Sequence, residues 1–369
     1  MTLRDINKVM RICFIGPANS VHIVKWCNWF ASEGHEIHVI SFVPGEIDTA
    51  TVHLIDVGVD ANGTDFQKLK YLLSGEKIKV LVRDIKPDIV NVHYATSYGI
   101  ATALSGIKGY ILSVWGADIY EFPKKSFAHR ALLKYSLRKA VRLFSTSKAM
   151  ADEAAKYTNR SFDITPFGVD VELFSPCKRT RNADLPFTIG TVKGLSDKYG
   201  IKDILGATSI IKKQGIPIEL RIAGKGPQED EYRNLANELG ISDITKWLGF
   251  ISQENAAIEW ANMDVAIIPS TEESESFGVS AVEAQSCGTP VIISDIPGLM
   301  EATKPGETSI VVKRNSCYEI ADIIKELYNH KEYREKMGME GRKYVLENYE
   351  INKCFQKIQA VFEEIAHNT

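Results

Sequence analysis

Ser274-Glu275-Ser276-Phe277-Gly278-Val279-Ser280-Ala281-Val282-Glu283-Ala284 runs directly into Gln285-Ser286-Cys287-Gly288-Thr289-Pro290-Val291-Ile292. Two carboxylates stand eight residues apart, with a Phe-Gly turn between them. The preceding segment, Met263 to Ser270, reads as a buried parallel strand ending at Pro269. The segment after Phe277 reads as a helix that closes at Gly288. A strand, a loop and a helix N-terminus in that order form an anion site, because free N–H groups point out of the first turn. Acids flanking such a site point to one elongated ligand, its phosphates on the helix end and its hydroxyls on the carboxylates. A glycosidase pair is disfavoured: eight helical residues rise about 12 Å, whereas paired hydrolytic carboxyls stand roughly 5–9.5 Å apart. The alternative is a solvated acidic loop, with Glu272 and Glu273 as further members.

Outward from this stretch, apolar strands alternate with helical patterns along the whole chain. Strands are expected at 9–15, 37–42, 52–57, 89–93, 110–114 and 142–145, with helical stretches such as 21–33 and 98–105 between them. Polar, aperiodic residues at 175–182 read as a linker. The alternation restarts at 187–192, 219–223, 244–248, 265–268, 291–294 and 309–312, and the chain closes with helical patterns. The 369 residues suffice for two cores. Ligands in doubly wound sheets bind outside the carboxyl ends of the strands, at a switch point.

Composition excludes several classes. A hydrophobic share of 44% with 25% charged residues fits an ordinary globular chain rather than a disordered one. No apolar run is long enough to span a membrane, and the first ten residues lack the apolar core of a signal peptide, so a cytoplasmic location is expected. The first 170 residues carry a net +4 and the rest −7, so neither half is basic enough for nucleic acid. The six cysteines are scattered, without a Cys-x-x-Cys pair, and read as reduced, with no zinc site. Gly-x-Gly-x-x-Gly is absent, which disfavours NAD.

Glu275-x7-Glu283 with Phe277-Gly278, then Cys287-Gly288-Thr289-Pro290-Val291-Ile292, resembles the donor-site signature of the retaining glycosyltransferase family four. Thr165-Pro166-Phe167-Gly168-Val169-Asp170 through Phe174-Ser175-Pro176 is similar to that family's hinge. Ile222-Ala223-Gly224-Lys225-Gly226-Pro227 and Trp247-Leu248-Gly249-Phe250 follow in the family's order. In the first half, Phe14-Ile15-Gly16-Pro17, Gly34-His35-Glu36-Ile37-His38-Val39-Ile40 and Phe144-Ser145-Thr146-Ser147 fit as well. The resemblance implies the α/β fold called GT-B: two Rossmann-like, doubly wound parallel-sheet domains facing an inter-domain cleft. Residues 1–174 would form the acceptor domain, with the helix at 351–369 crossing back to it, and 175–350 the nucleotide-sugar domain. The implied activity is transfer of a sugar, with retention and without a metal or other cofactor, to a glycan or lipid-linked acceptor. The sequence leaves open the base, the sugar and the acceptor.

The family carries a Gly-Arg pair and then a Lys that clamp the diphosphate. Here Thr191 stands at the Arg position; Lys198 matches the Lys, and Lys193 is the candidate replacement for the Arg. Lysine is a point charge without the guanidinium fork, so the exchange is not neutral. Such cations would stabilise the charge that grows on the leaving diphosphate. No Asp-x-Asp is present to hold a metal. Lys193, Lys198, Glu275 and Asp118 are the expected catalytic residues. Gly16, Phe250, Ile251, Phe277, Gly278, Val279 and Glu283 are the expected donor contacts, and His22, His93 and Trp115 the expected acceptor contacts. His22 reads equally as a surface helix histidine, and Trp115 equally as core.

Residues 124–142 are the most basic segment, with Arg130, Lys134 and Arg138 on one helical face. The alternatives are a solvated face over a core stripe and attachment to an anionic membrane bearing the acceptor. Thr191 and Trp115 also leave room for a non-catalytic nucleotide-sugar-binding subunit; a nucleotide-sugar epimerase is a third alternative.

Overall fold

The computed structural model describes residues 9–58, 70–180 and 186–367. The chain divides into two compact units: Met1–Thr165 with Phe355–Thr369, and Pro166–Cys354.

The first unit is built on a seven-stranded parallel sheet. Its strands are β1 (Arg11–Ile15), β2 (Glu36–Ser41), β3 (Thr51–Leu54), β4 (Ile89–His93), β5 (Ile111–Val114), β6 (Arg142–Ser145) and β7 (Asp163–Ile164), in the order β3-β2-β1-β4-β5-β6-β7. All pairings are parallel; Ile12 sits opposite Ile37 on β2 and Ile89 on β4. Central strands read as unbroken apolar runs because helices cover both faces; β4 and β5 are buried throughout. One face packs Cys13, Ile15, Val92, Leu112 and Val114 against the helices 75–85, 97–105 and 127–139. The other carries an aromatic layer. Phe14, Trp26 and Phe30 meet Phe355 and Phe362 of the last helix, Ile351–His367, with ring centroids 5.1–6.2 Å apart.

The second unit has a six-stranded parallel sheet of β8 (Phe187–Val192), β9 (Ile218–Ala223), β10 (Thr245–Gly249), β11 (Val265–Ile268), β12 (Val291–Ser294) and β13 (Ser309–Val312). The order is β10-β9-β8-β11-β12-β13. In both sheets the winding reverses once, between β1 and β4 and between β8 and β11, and these are the switch points where carboxyl-end loops diverge.

The chain passes between units at Thr165/Pro166, ahead of the expected 174/175, because the intervening residues pack in the second unit. Phe167 meets Phe277 at 5.9 Å, and Val169 N–H donates to Tyr349 O at 2.8 Å. Arg342 donates to the carbonyls of Val171 (2.9 Å) and Phe174 (2.7 Å), and to that of Ser286 (2.7 Å). Within the expected linker, Pro176–Lys178 form a 3-10 turn, while Arg181 and Asn182 lie outside the described residues.

Candidate active site

In the second unit the loops after β8, β9 and β11 are tied into one shelf at the carboxyl ends of the strands. Lys193 N–H donates to Ala223 O (2.9 Å), Leu195 N–H to Lys225 O (3.0 Å) and Thr271 N–H to Lys198 O (2.8 Å). At the β8/β11 switch point, Lys193 Nζ lies 2.7 Å from Glu275 Oε2, and the two side chains are only 10% and 11% exposed. The pair joins the loop after one switch-point strand to the loop after the other. A lysine this enclosed needs its counter-charge, since leaving one member of such a pair alone costs several kcal/mol. Lys198 lies in the 3-10 turn Asp197–Tyr199 on the same shelf.

The predicted helix runs from Val279 to Ser286. Gly278 caps it with φ 75°, and a Cβ there would approach Leu299 Cδ2 to 2.7 Å, so only glycine fits the turn. Ser280 Oγ donates to Val192 O (3.1 Å), lashing the first helical turn to the end of β8. Val279 is therefore the first helical residue beside the ion pair's loop. Glu283, half-buried one turn on, accepts a hydrogen bond from Trp260 Nε1 at 3.3 Å.

One donor expectation is corrected. Phe277 is buried between Phe167 and Tyr349 (ring centroids 5.9 and 5.3 Å), so its ring braces the loop and is not presented to a ligand. Phe250 is 77% exposed and Ile251 half-buried at the carboxyl end of β10. Thr191, at the position of the family Arg, is fully buried.

The first unit corrects two more, His93 and Trp115. Asp118 is almost fully buried, and its carboxylate accepts from the backbone N–H groups of Ala95 (2.9 Å), Trp115 (3.1 Å) and Gly116 (2.8 Å). Burial pushes its pKa up, against those three hydrogen bonds. It clasps the loops after β4 and β5 and also lines the cavity described below. His93 is 0% exposed, with ring contacts to Phe14 (5.6 Å), Trp26 (4.9 Å) and Trp115 (4.8 Å), and among the described residues neither ring nitrogen has a hydrogen-bond partner. Burial, then the nearby His22, lowers its pKa to about 3. An enclosed neutral imidazole does not touch an acceptor. Trp115 is likewise buried, packed on His22, His93 and Tyr94, which realises the core alternative. Gly16 is the close-approach point of this cluster; a Cβ would stand 3.0 Å from Ile23 Cδ1 and 3.3 Å from His93 Cβ. Its tightness is spent on packing. His22 is half-buried in the first turn of the helix Val21–Ser32, whose cap is Ser20.

Beside these residues the first unit encloses a cavity of about 530 Å³, in the size range of small-molecule sites. Phe42, Tyr71, Tyr94, Tyr98 and Phe122 wall it, and Lys125 and His129 supply nitrogen groups. Tyr71, Phe42 and Tyr98 form a three-ring stack with centroids 5.0 and 4.4 Å apart. Tyr94 has φ 68°, a conformation that a bulky residue adopts at a cost and that clusters at ligand sites.

The basic segment is not one helix. Phe122–Lys124 is a 3-10 turn, Phe127–Lys139 is helical, and Arg142 opens β6, where it pairs with Asp163 (3.0 Å) and Glu364 (3.3 Å). Arg130, Lys134 and Arg138 are exposed on the helix, and Phe127 at its start is 82% exposed. No helix among the described residues is long and apolar enough to cross a membrane. Burial pushes up the thiol pKa values of Cys13 and Cys287, so neither is a nucleophile.

Sequence reasoning missed the cavity, the Asp118 clasp and Tyr199, whose ring lies beneath Lys193 and Lys198. The signal for Tyr199 in the sequence is an aromatic directly beside Lys198.

Comparison with known proteins matches these halves. Residues 11–147 match the family described as Glycosyl transferase 4-like, and residues 178–344 that described as Glycosyl transferases group 1. The chain is 30% identical over 343 residues to the putative glycosyltransferase EpsD of Bacillus subtilis, covering 88% of each. It is 30% identical over 212 residues to a D-inositol 3-phosphate glycosyltransferase of Paenarthrobacter aurescens, 54% of this chain and 52% of that one, so the chain matches about half the length of that relative. The structure of Anabaena HepE in complex with UDP-glucose superposes with a TM-score of 0.78 at 17% identity, over 96% of this chain and all of that one. With two doubly wound sheets, a Lys-Glu pair at the second switch point and near full-length similarity to EpsD, the chain belongs to the group 1 glycosyl transferases and has the GT-B fold.

Proposed function

We propose that the protein transfers a sugar from a nucleoside diphosphate sugar to a hydroxyl acceptor, with retention and without a metal. The observation that carries this reading is the Lys193–Glu275 pair at the β8/β11 switch point, with Lys198 on the adjoining turn. Cations at that point meet the charge that develops on the leaving diphosphate, and Glu275 is placed to read sugar hydroxyls beside them. Glu283, on the following helix, is the candidate for the ribose. A relative of this fold binds UDP-glucose, which makes UDP sugars the first donors to test.

The acceptor reading moves from His22, His93 and Trp115 to the aromatic-walled cavity. A glycan ring or the head of a lipid-linked acceptor suits such walls, because aromatic faces pack against the C–H faces of sugars while the nitrogen groups orient polar substituents. Surface polysaccharide or lipid-linked glycan assembly is the corresponding pathway class.

A thermal-shift panel of nucleoside diphosphate sugars is the direct test. A donor at about 100 times its Kd adds roughly 2.7 kcal/mol to the native state. Product analysis should then show the donor's anomeric configuration retained. Binding without transfer or slow hydrolysis would instead identify a non-catalytic subunit, and epimerised donor an epimerase.

Activity is expected to persist in excess chelator. Among the described residues no group of three or more His, Cys, Asp or Glu is arranged to hold a metal, and the lysines supply positive charge. Loss on chelation with recovery on adding magnesium or manganese would refute metal independence.

We further propose that the helix Phe127–Lys139 meets anionic lipid. Arg130, Lys134 and Arg138 share its exposed side, each worth up to about 1 kcal/mol at a charged surface. Changing all three to Ser should weaken co-sedimentation with phosphatidylserine vesicles, and raised salt should weaken wild-type binding. Equal sedimentation of both proteins, or none of the wild type, would leave an ordinary solvated face.

A further inference from the structure

We infer that Tyr199 is a positioning residue that presents both lysines of the donor site to the diphosphate. The inference rests on the donor reading above. Lys193 Nζ stands 4.8 Å from the centroid of the Tyr199 ring, and Lys198 Nζ stands 4.9 Å from the same centroid. Both lie inside the range in which an ammonium is held by the negative potential of an aromatic face. One ring therefore serves two cations that approach from different points of the loop.

The ring is itself fixed from below. Tyr199 N–H donates to Ser196 O (3.0 Å), and Thr271 ties the turn through Lys198 O (2.8 Å) and Asp197 O (3.3 Å). Asp197 in turn receives Tyr232 Oη–H (3.3 Å) and pairs with Lys202 (3.1 Å). Gly194 leaves room for the ring; a Cβ there would approach Tyr199 Cε2 to 3.1 Å. The turn is thus anchored to the sheet of the second unit, whereas lysine side chains are long and rotamer-rich. Holding two ammonium groups near one diphosphate costs mutual repulsion and side-chain entropy before the ligand arrives. A shared π face lowers both costs, and it does so beside Thr191, which stands at the family's Arg position and for which Lys193 is the candidate replacement.

Glu275 holds Lys193 from the other side at 2.7 Å. Lys193 is thereby gripped between a carboxylate and a ring. Lys198 also lies against that ring, so loss of Tyr199 should disturb both cations together, with the effect falling on phosphate recognition.

The test uses the full chain with pyrophosphate and UDP as probes, titrated by calorimetry. Tyr199→Leu should bind both roughly tenfold more weakly. Tyr199→Phe should stay within about twofold of wild type, since the hydroxyl takes no part in the ring contact. Phenylalanines with one, two and three ring fluorines at position 199 keep the shape and drain the π face. Affinity for pyrophosphate should fall stepwise along that series. Equal affinity across the fluorinated series, or a Tyr199→Leu protein that binds like wild type, would overturn the role of the ring. Failure of wild type to bind either probe would overturn the donor reading itself, and the two failures are therefore distinguishable.

Discussion

Glu275→Ala and Lys198→Ala are each expected to lower kcat/KM by about two orders of magnitude or more, the usual consequence of deleting one preorganised charge-stabilising group. The two losses differ in kind. Lys198→Ala removes a cation from the turn on the shelf and should act on donor turnover with folding intact. Glu275→Ala also strands Lys193, which is about nine-tenths enclosed, without its partner at 2.7 Å. That variant should lose stability as well as turnover. Glu275→Ala combined with Lys193→Ala should recover part of the stability but none of the activity, because members of a contact pair are not additive. Steady-state transfer and urea midpoints on the four proteins decide the matter. Near-wild-type transfer by folded Lys198→Ala would remove it from the donor site.

Acidification should destabilise the first unit through His93, and His93→Phe should abolish that share of the loss. The folded-state pKa is about 3, pulled down by burial in the aromatic cluster, while an unfolded histidine titrates near 6.5. A depressed histidine pKa means that the unfolded chain takes up the proton first. The stabilisation is complete above about pH 6.5 and is lost between roughly pH 6.5 and 3, at about 1.4 kcal/mol for each pH unit. Phe14, Trp26 and Trp115 around the ring should accept a phenyl group in its place. Urea denaturation at pH 7.5, 6 and 5 should show a shallower pH slope for His93→Phe than for wild type. Identical slopes would mean that His93 is already neutral in the unfolded chain or reaches water in the folded one.

Much of this was legible before any coordinates. The strand positions follow from apolar runs bounded by glycine, proline and polar residues; eleven of the twelve expected strands appear within one or two residues of their place, and β3 ends three residues short of it. The two-residue β7 (Asp163–Ile164) was missed, because a pair with an acidic member carries no periodicity. The Gly278 turn and the helix behind it lie where the sequence places them, since backbone constraint shows in glycine placement. Side-chain orientation was another matter. Phe277, His93 and Asp118 sit at the right points of the topology yet point inward. Sequence spacing locates a residue at the end of a strand but does not say which way its side chain turns when three loops converge on it. The cavity is invisible for the same reason: Phe42, Tyr71, the Tyr94/Tyr98 segment and Phe122 come from four separate places along the chain.

The helix Ile351–His367 has a consequence for how the molecule is made. Phe355 and Phe362 are fully buried in the first unit, against Trp26, Trp29, Phe30 and Phe144. During synthesis the amino-terminal half therefore leaves the ribosome with an aromatic face that nothing yet covers. The second unit, a single stretch of chain from Pro166 to Cys354, can close first. The part translated earliest is completed last, and a nonsense mutation just before Phe355 would cripple the opposite end of the gene product from the one it shortens.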